Sequence, residues 1–155
     1  MLVVVGSRSD LEVMTETRRT LDWFEVPARV VVASAHREPE KVRTLARKAR
    51  EGGVRVVIAA AGMAAHLAGA IASQTTIPVI GVPLETEPFG ALDSLLSTVH
   101  MPPGVPVAAV SPGRAGAVNA ALLAVEILSL SDKSLGAKLE QYRKGLVTKG
   151  SSREA

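Results

Sequence analysis

The chain has 155 residues, 47% hydrophobic but only 3% aromatic, with a formal net charge of +3; this is one domain of ordinary size, able to bury a core of Val, Ala, Leu and Ile without staples. Cysteine is absent, which excludes disulfides, thiolate chemistry and cysteine-ligated metals. Residues 1–131 carry 12 Lys or Arg against 12 Asp or Glu, so the positive excess lies wholly in residues 132–155, and a basic tail without a basic face argues against nucleic acid as a partner.

Leu2 to Val5 reads as a short buried strand. No charged leader precedes it and no apolar run is long enough to span a bilayer, so the expectation is a soluble cytoplasmic protein with no membrane partner. Gly6-Ser7-Arg8-Ser9-Asp10 comes next, with Ser9 and Glu12 spaced as a capping box and Met14, Thr17, Arg18, Leu21 and Phe24 spaced as one helix. After Pro27, Ala28 to Ala33 is a second strand, ending in Ser34-Ala35-His36-Arg37; Pro39 then suits the first turn of a helix. Val42, Leu45, Ala46 and Ala49 form that helix's apolar stripe, and Gly52-Gly53 closes it.

Val54 to Ala60 is a third strand, running into Ala61-Gly62-Met63-Ala64-Ala65-His66-Leu67 and a small-residue helix to about Gln74. Val79 to Val82 is a fourth strand and residues 84–90 a loop with two carboxylates, Glu85 and Glu87. Ala91 to Val99 reads as a helix, Met101 to Gly104 as a turn, and Val105 to Val110 as a fifth strand. Ala115 to Leu130 is Ala-rich and apolar almost all round, the mark of a helix buried in a core or an interface. A last amphipathic helix spans about 132–147, so the domain is expected over 1–147 with a disordered polar tail at 148–155.

Five strand–helix alternations predict a parallel α/β sheet, whose right-handed crossovers bring every strand C-terminus to one edge. Three of those ends carry chemistry. At the first, Ser7, Ser9 and Asp10 sit where a helix start favours a phosphate, though serine and aspartate are equally good caps. At the second, His36 can exchange a proton near neutral pH and Arg37 offers a planar fork of donors to an anion; the bland alternative is a capping histidine beside a solvated arginine. At the third, Gly62, Ala64 and Ala65 allow close backbone approach, and His66 is either a ligand contact or a satisfied core histidine.

Familiar signatures are missing. There is no G-x-G-x-x-G after the first strand, no P-loop and no G-x-S-x-G elbow, and His36, His66 and His100 lack metal-ligand spacing.

Taken together, residues 6–10, 34–37 with Pro39, Ala61-Gly62 with Ala64-Ala65-His66-Leu67, Leu92-Asp93-Ser94-Leu95, Met101-Pro102 and 119–124 resemble the PurE family of purine biosynthesis, in order and spacing over about residues 2–145. Within the family the likeness is to class I, the N5-carboxyaminoimidazole ribonucleotide mutases. Arg37 and Ala64-Ala65-His66-Leu67 favour that class over the class II carboxylases, which use free CO2. The resemblance implies a flavodoxin-like three-layer α/β/α fold with a roughly five-stranded sheet and an extra C-terminal helix, assembled as an octamer with sites where subunits meet. It implies isomerisation of the carbamate on the amine nitrogen to a carboxylate on ring carbon C4, with no cofactor and no metal. His36 would be the acid/base, and Ser7, Ser9, Asp10, Ser34, Arg37, Gly62, Ala64, His66 and Leu67 would bind the ribonucleotide.

Three features depart from the class I pattern. Met63 stands where a second glycine is usual, Ala68 where proline is usual, and the 84–90 loop lacks the usual small residues. A non-catalytic, nucleotide-binding module of the same fold is the reading from a different class.

Overall fold

The computed structural model describes residues 1–151, with side chains described to Leu146. The strands are β1 (Leu2–Val5), β2 (Arg29–Val32), β3 (Val57–Ala61), β4 (Val79–Pro83) and β5 (Ala108–Ala109). The helices are α1 (Leu11–Trp23), α2 (Pro39–Lys48), α3 (Leu67–Ala72), α4 (Leu92–Val99), α5 (Gly113–Ser129) and α6 (Lys133–Ser151). All strand pairs are parallel, in the order β2-β1-β3-β4-β5, which is the flavodoxin-type winding with its switch point between β1 and β3. Val5 pairs with Val32 on one side and Ala60 on the other. That register sets Gly6, Ala33 and Ala61 side by side at the sheet's C-terminal edge.

Strand side chains alternate between two cores. Val3, Val5, Ile58, Ile80 and Val82 pack with α1, α5 and α6 through Met14, Leu21, Ala117, Ala121 and Leu135. Leu2, Val4, Val57, Ala59 and Val79 pack with α2 and α3 through Val42, Ala46, Leu67 and Ile71. The few polar groups in these layers are bonded. Thr17 Oγ1 donates to the Ala117 carbonyl at 2.7 Å, tying α1 to α5, and such a bond contributes about 1 kcal/mol. Ser94 Oγ donates to the Leu84 carbonyl at 2.8 Å and fixes α4 beside the end of β4.

Several elements differ from their sequence expectation for identifiable reasons. The fifth strand shrinks from 105–110 to two residues because Pro106 has no N–H to give to β4 and confines pairing to the residues beyond it. The third strand begins at Val57 and not Val54, since β1 and β4 supply ladder partners only from Leu2 and Val79. The capping box lies at Ser7 and Asp10, around a single 3-10 turn (Arg8–Asp10), not at Ser9 and Glu12. Glu12 is engaged elsewhere, in an ion pair with Arg114 at 2.6 Å. Arg18 faces solvent and pairs with Asp22.

Part of the apolar surround of α5 is covered within the chain. Leu135 and Leu139 of α6 cover it, and α6 is held by Trp23, Phe24 and Tyr142, whose rings lie 4.6–5.6 Å apart, and by a Lys138–Glu25 ion pair at 2.5 Å. That helix continues to Ser151, past the expected end at 147; of the tail expected at 148–155, residues 152–155 lie outside the described residues. A run of uncovered apolar side chains lies on α4 and the loop before it: Phe89, Leu92, Leu96 and Val99 are each more than half exposed. Among the described residues no helix is long and apolar enough to cross a membrane.

Candidate active site

At the end of β1 the chain turns at Gly6, and the Ser7 N–H donates to Asp10 Oδ2 at 2.8 Å. Ser9 Oγ lies 3.0 Å from Ser7 Oγ and 3.3 Å from Asp10 Oδ1. The two hydroxyls and the carboxylate therefore form one hydrogen-bonded group at the sheet edge. Burial pushes the Asp10 pKa up, against the lowering pull of the Ser7 N–H, the Ser9 hydroxyl and the Arg37 charge.

That direction has a consequence for stability. The folded chain holds the Asp10 proton more tightly than the unfolded chain does. The ionised carboxylate therefore costs stability at neutral pH, and the cost vanishes as pH falls through the raised folded pKa. Asp10→Asn, whose side-chain oxygen can still accept from Ser7, is expected to melt higher than the wild type at pH 7. The advantage should shrink on acidification through the carboxylate range, as read by thermal melts over a pH series; a lower melting point at pH 7 would contradict the assignment.

The second corner is held by its own backbone and by Ser34. The Glu38 N–H donates to the Ser34 carbonyl at 2.9 Å, and the Arg37 N–H to Ser34 Oγ at 3.3 Å. This tight turn lifts His36 and Arg37 out of the sheet edge, both exposed. Arg37 reaches across to donate to the Gly6 carbonyl at 3.3 Å, which places its guanidinium over the first corner. Among the described residues no carboxylate lies within 4.0 Å of it, so its charge is left for a ligand. Glu38 is drawn instead to Lys41, at 2.8 Å, and that bond is the main reason its carboxyl pKa is lowered.

The third corner departs from ordinary backbone. Met63 has φ 55° and Ala65 φ 36°, left-handed values that cost a side-chain-bearing residue roughly 1 kcal/mol or more each. Thr86, in the 84–90 loop, holds this shape. Its Oγ1 accepts from the Met63 N–H at 3.1 Å, and its methyl sits where a Cβ on Gly62 would come within 2.5 Å. Gly62 is thus required by close approach. The resulting turn delivers His66 to His36, with Nδ1 and Nε2 2.6 Å apart and the rings edge-on. One nitrogen of the pair must carry the hydrogen between them, so the two rings share a proton path.

These corners enclose a single cleft of about 450 Å³. Ser7, Ser9, Asp10, Ser34, His36, Arg37, Gly62, Ala64, His66 and Leu67 all line it. Leu67 does so from the floor, its side chain being part of the α2–α3 core. His100 lies outside, in a shallow groove beside Met101. Thr86 was not legible as part of this wall: it lies in a loop between β4 and α4, and no local pattern announces that a loop threonine will meet Gly62. Among the described residues no three His, Asp or Glu side chains converge as a metal site would need. The arrangement offers donors for an anion at Ser7, Ser9 and Arg37, an acceptor at Asp10, a paired histidine proton carrier, and a wall of glycine, alanine and methionine.

Comparison with known proteins agrees with that geometry. The family model described as AIR carboxylase matches residues 1–149. The N5-carboxyaminoimidazole ribonucleotide mutase of Pyrococcus abyssi is 52% identical over 144 residues, 93% of this chain and 82% of that protein. The protein of the same description from Bacillus subtilis is 51% identical over 141 residues, 91% of this chain and 87% of the relative. The crystal structure of Treponema denticola PurE superposes with a TM-score of 0.84 at 26% identity, covering 96% of this chain and 91% of that one. A match that takes in nearly every residue, at about half identity over more than four fifths of the relatives' length and with a superposable fold, makes this chain a member of the AIR carboxylase, or PurE, family.

Proposed function

We propose that the chain is an N5-carboxyaminoimidazole ribonucleotide mutase, moving the carboxyl group of its substrate from the exocyclic nitrogen to C4 of the imidazole in purine biosynthesis. The observation that carries this reading is the exposed His36 ring, bonded to His66 in the same cleft as Ser7, Asp10 and Arg37. In the proposed placement the phosphate takes Arg37 and the Ser7 and Ser9 hydroxyls, Asp10 accepts from ribose hydroxyls, and the base lies along Gly62 and Ala64, where the absence of bulky side chains lets a flat ring approach the backbone.

The chemistry asks for one proton carrier. As the N–C bond breaks, its electron pair stays on nitrogen, which takes a proton from His36, and CO2 is released into the cleft. C4 then gives an electron pair to the CO2 carbon, the new C–C bond forms, and the C4 proton returns to His36. The imidazole ends as it began, so a single histidine serves both steps. The 2.6 Å contact with His66 fixes the orientation of the His36 ring, and Ser34 holds the turn on which it stands. Bond cleavage and formation are both internal to the substrate, so the reading calls for no cofactor.

The proposal extends to a homo-oligomer, the octamer implied by resemblance, and to a cytoplasmic location suited to a small-molecule enzyme. The uncovered Phe89, Leu92, Leu96 and Val99 surface supports association with further copies, since a contiguous apolar face on a water-soluble chain favours a partner.

The test supplies freshly made N5-carboxyaminoimidazole ribonucleotide and follows the ultraviolet absorbance of the imidazole. Conversion is expected with this substrate alone. Conversion only from aminoimidazole ribonucleotide with bicarbonate would point to the carboxylase reaction, and binding without conversion to a recognition module. Arg37→Ala is expected to raise KM by roughly ten- to a hundredfold with a smaller change in kcat, the worth of a charge-assisted phosphate contact. An unchanged KM would move the phosphate away from Arg37.

A further inference from the structure

Thr86 brings to the cleft a donor that the chain itself does not use. It is half-buried, and of the 84–90 loop it alone lines the cleft. A hydroxyl has two lone pairs and one hydrogen to give. One lone pair takes the Met63 N–H at 3.1 Å, and among the described residues no acceptor takes the Thr86 hydrogen. The oxygen is also fixed in place. The Thr86 N–H donates to the Gly90 carbonyl at 2.7 Å, which closes the loop on itself, and the threonine methyl packs on Gly62 where an added Cβ would come within 2.5 Å. With backbone and side chain both held, only the hydroxyl hydrogen is left to turn toward a ligand. A preset donor of this kind binds an anion at low cost, because nothing has to reorganise.

Strand order says which anion it meets. Arg37 follows β2, Ser7 and Asp10 follow β1, Gly62 follows β3 and Thr86 follows β4. Thr86 thus stands two strands from the first corner, roughly 10 Å at the usual strand spacing, and the Arg37 guanidinium reaches only as far as Gly6. A nucleotide with its phosphate at the first corner extends its base along Gly62 toward Thr86. We infer that Thr86 is a specificity residue: its hydroxyl donates to the carboxylate carried by the base, on the exocyclic nitrogen in the substrate and on C4 in the product. This rests on the mutase reading above. The two attachment points are on neighbouring ring positions, so one donor serves both. A charged acceptor makes the bond shorter and stronger than a neutral one, whereas the decarboxylated nucleotide has no acceptor there and leaves the hydroxyl to water. Thr86 thereby favours the carboxylated forms without placing a positive charge at the base end of the cleft.

The experiment compares two ligands that differ only in the carboxyl group, the C4-carboxylated product and aminoimidazole ribonucleotide, by titration calorimetry on the assembled enzyme. Thr86→Val keeps a methyl against Gly62 and removes the hydroxyl. It should weaken the carboxylated nucleotide by about tenfold or more, the worth of a hydrogen bond to a charged group, and the decarboxylated one by less than about twofold. Thr86→Ser, which keeps the hydroxyl, should preserve the wild-type ratio of the two affinities. Valine also gives up the acceptor for the Met63 N–H, so the comparison is repeated in the double variant Thr86→Val with Met63→Gly, where glycine takes up φ 55° without strain. The selective loss should persist there. Equal losses for the two ligands, or recovery of the product affinity in the double variant, would overturn the Thr86 contact and leave the mutase reading standing. Wild-type enzyme that binds neither nucleotide would overturn both.

Discussion

His36→Asn is expected to bind the ribonucleotide within a few-fold of the wild type while turnover falls by at least roughly 10³-fold, within the range by which general acid–base catalysis accelerates reactions. The separation of the two effects comes from where the residues stand. The proposed phosphate and ribose contacts belong to Ser7, Ser9, Asp10 and Arg37, on the turn after β1 and on the neighbouring guanidinium that reaches Gly6 at 3.3 Å. None of them needs the His36 ring. Asparagine keeps a polar group that can face His66, so the second corner should retain its shape through Ser34 and Glu38. It cannot, however, pass a proton to the departing nitrogen and take one from C4. Titration calorimetry with the product nucleotide reads the first quantity, and single-turnover absorbance reads the second. Turnover near the wild-type rate would remove His36 from the chemistry and make the His36–His66 contact a structural bond.

The largest effect on folding is expected from Gly116→Ala. Alanine is the better helix former by about 1 kcal/mol, so the change would ordinarily stabilise α5. Here the added Cβ would lie 1.6 Å from the Ser111 carbonyl oxygen and 2.7 Å from its carbon. Those atoms are main chain, fixed by the entry from β5 into α5, and no rotamer change relieves the overlap. A loss of more than about 4 kcal/mol, seen in only the most disruptive substitutions, should leave little folded protein in a soluble-yield and circular-dichroism assay. Gly136→Ala supplies the contrast. In α6 that position has no atom within 4 Å of an added Cβ, and the same substitution should stabilise by about 1 kcal/mol. If both variants melted alike, close packing of α5 on the preceding turn would not be the reason for Gly116.

Much of this fold was legible because it rests on local periodicity. Val42, Ala46 and Ala49 were placed on the buried side of α2 by spacing alone, and they are buried. The apolar runs gave four strands at nearly their observed positions, and the alternation gave the parallel winding. Local pattern could not carry anything decided by a partner distant in sequence. Spacing pointed to a capping box at Ser9 and Glu12, whereas the box forms at Ser7 and Asp10 while Arg114 claims Glu12 across about a hundred residues. The apolar surround of α5 left a core and an interface equally open, and it took α6, folding back through Leu135 and Leu139, to place part of that surround in the core.

The site shows the same division. Ser7, Asp10, His36 and Arg37 stood out because strand ends in such a sheet converge at one edge. The meeting of His66 with His36 was not legible, because that contact depends on the left-handed turn at Met63 and Ala65, which Thr86 imposes from a loop some twenty residues on. The acid/base role of His36 came from family resemblance, since a histidine at a corner is by itself compatible with capping.

The brevity of β5 matters beyond the sheet it completes. A long outer strand next to the uncovered α4 surface would offer a row of free main-chain donors and acceptors, and copies drawn together by Leu92, Leu96 and Val99 could then zip edge to edge into open-ended aggregates. With two ladder residues, preceded by a proline, that border gives an incoming strand almost nothing to grip. The self-association proposed above would then have to run through side-chain packing between helices, which can close on itself and stop growing.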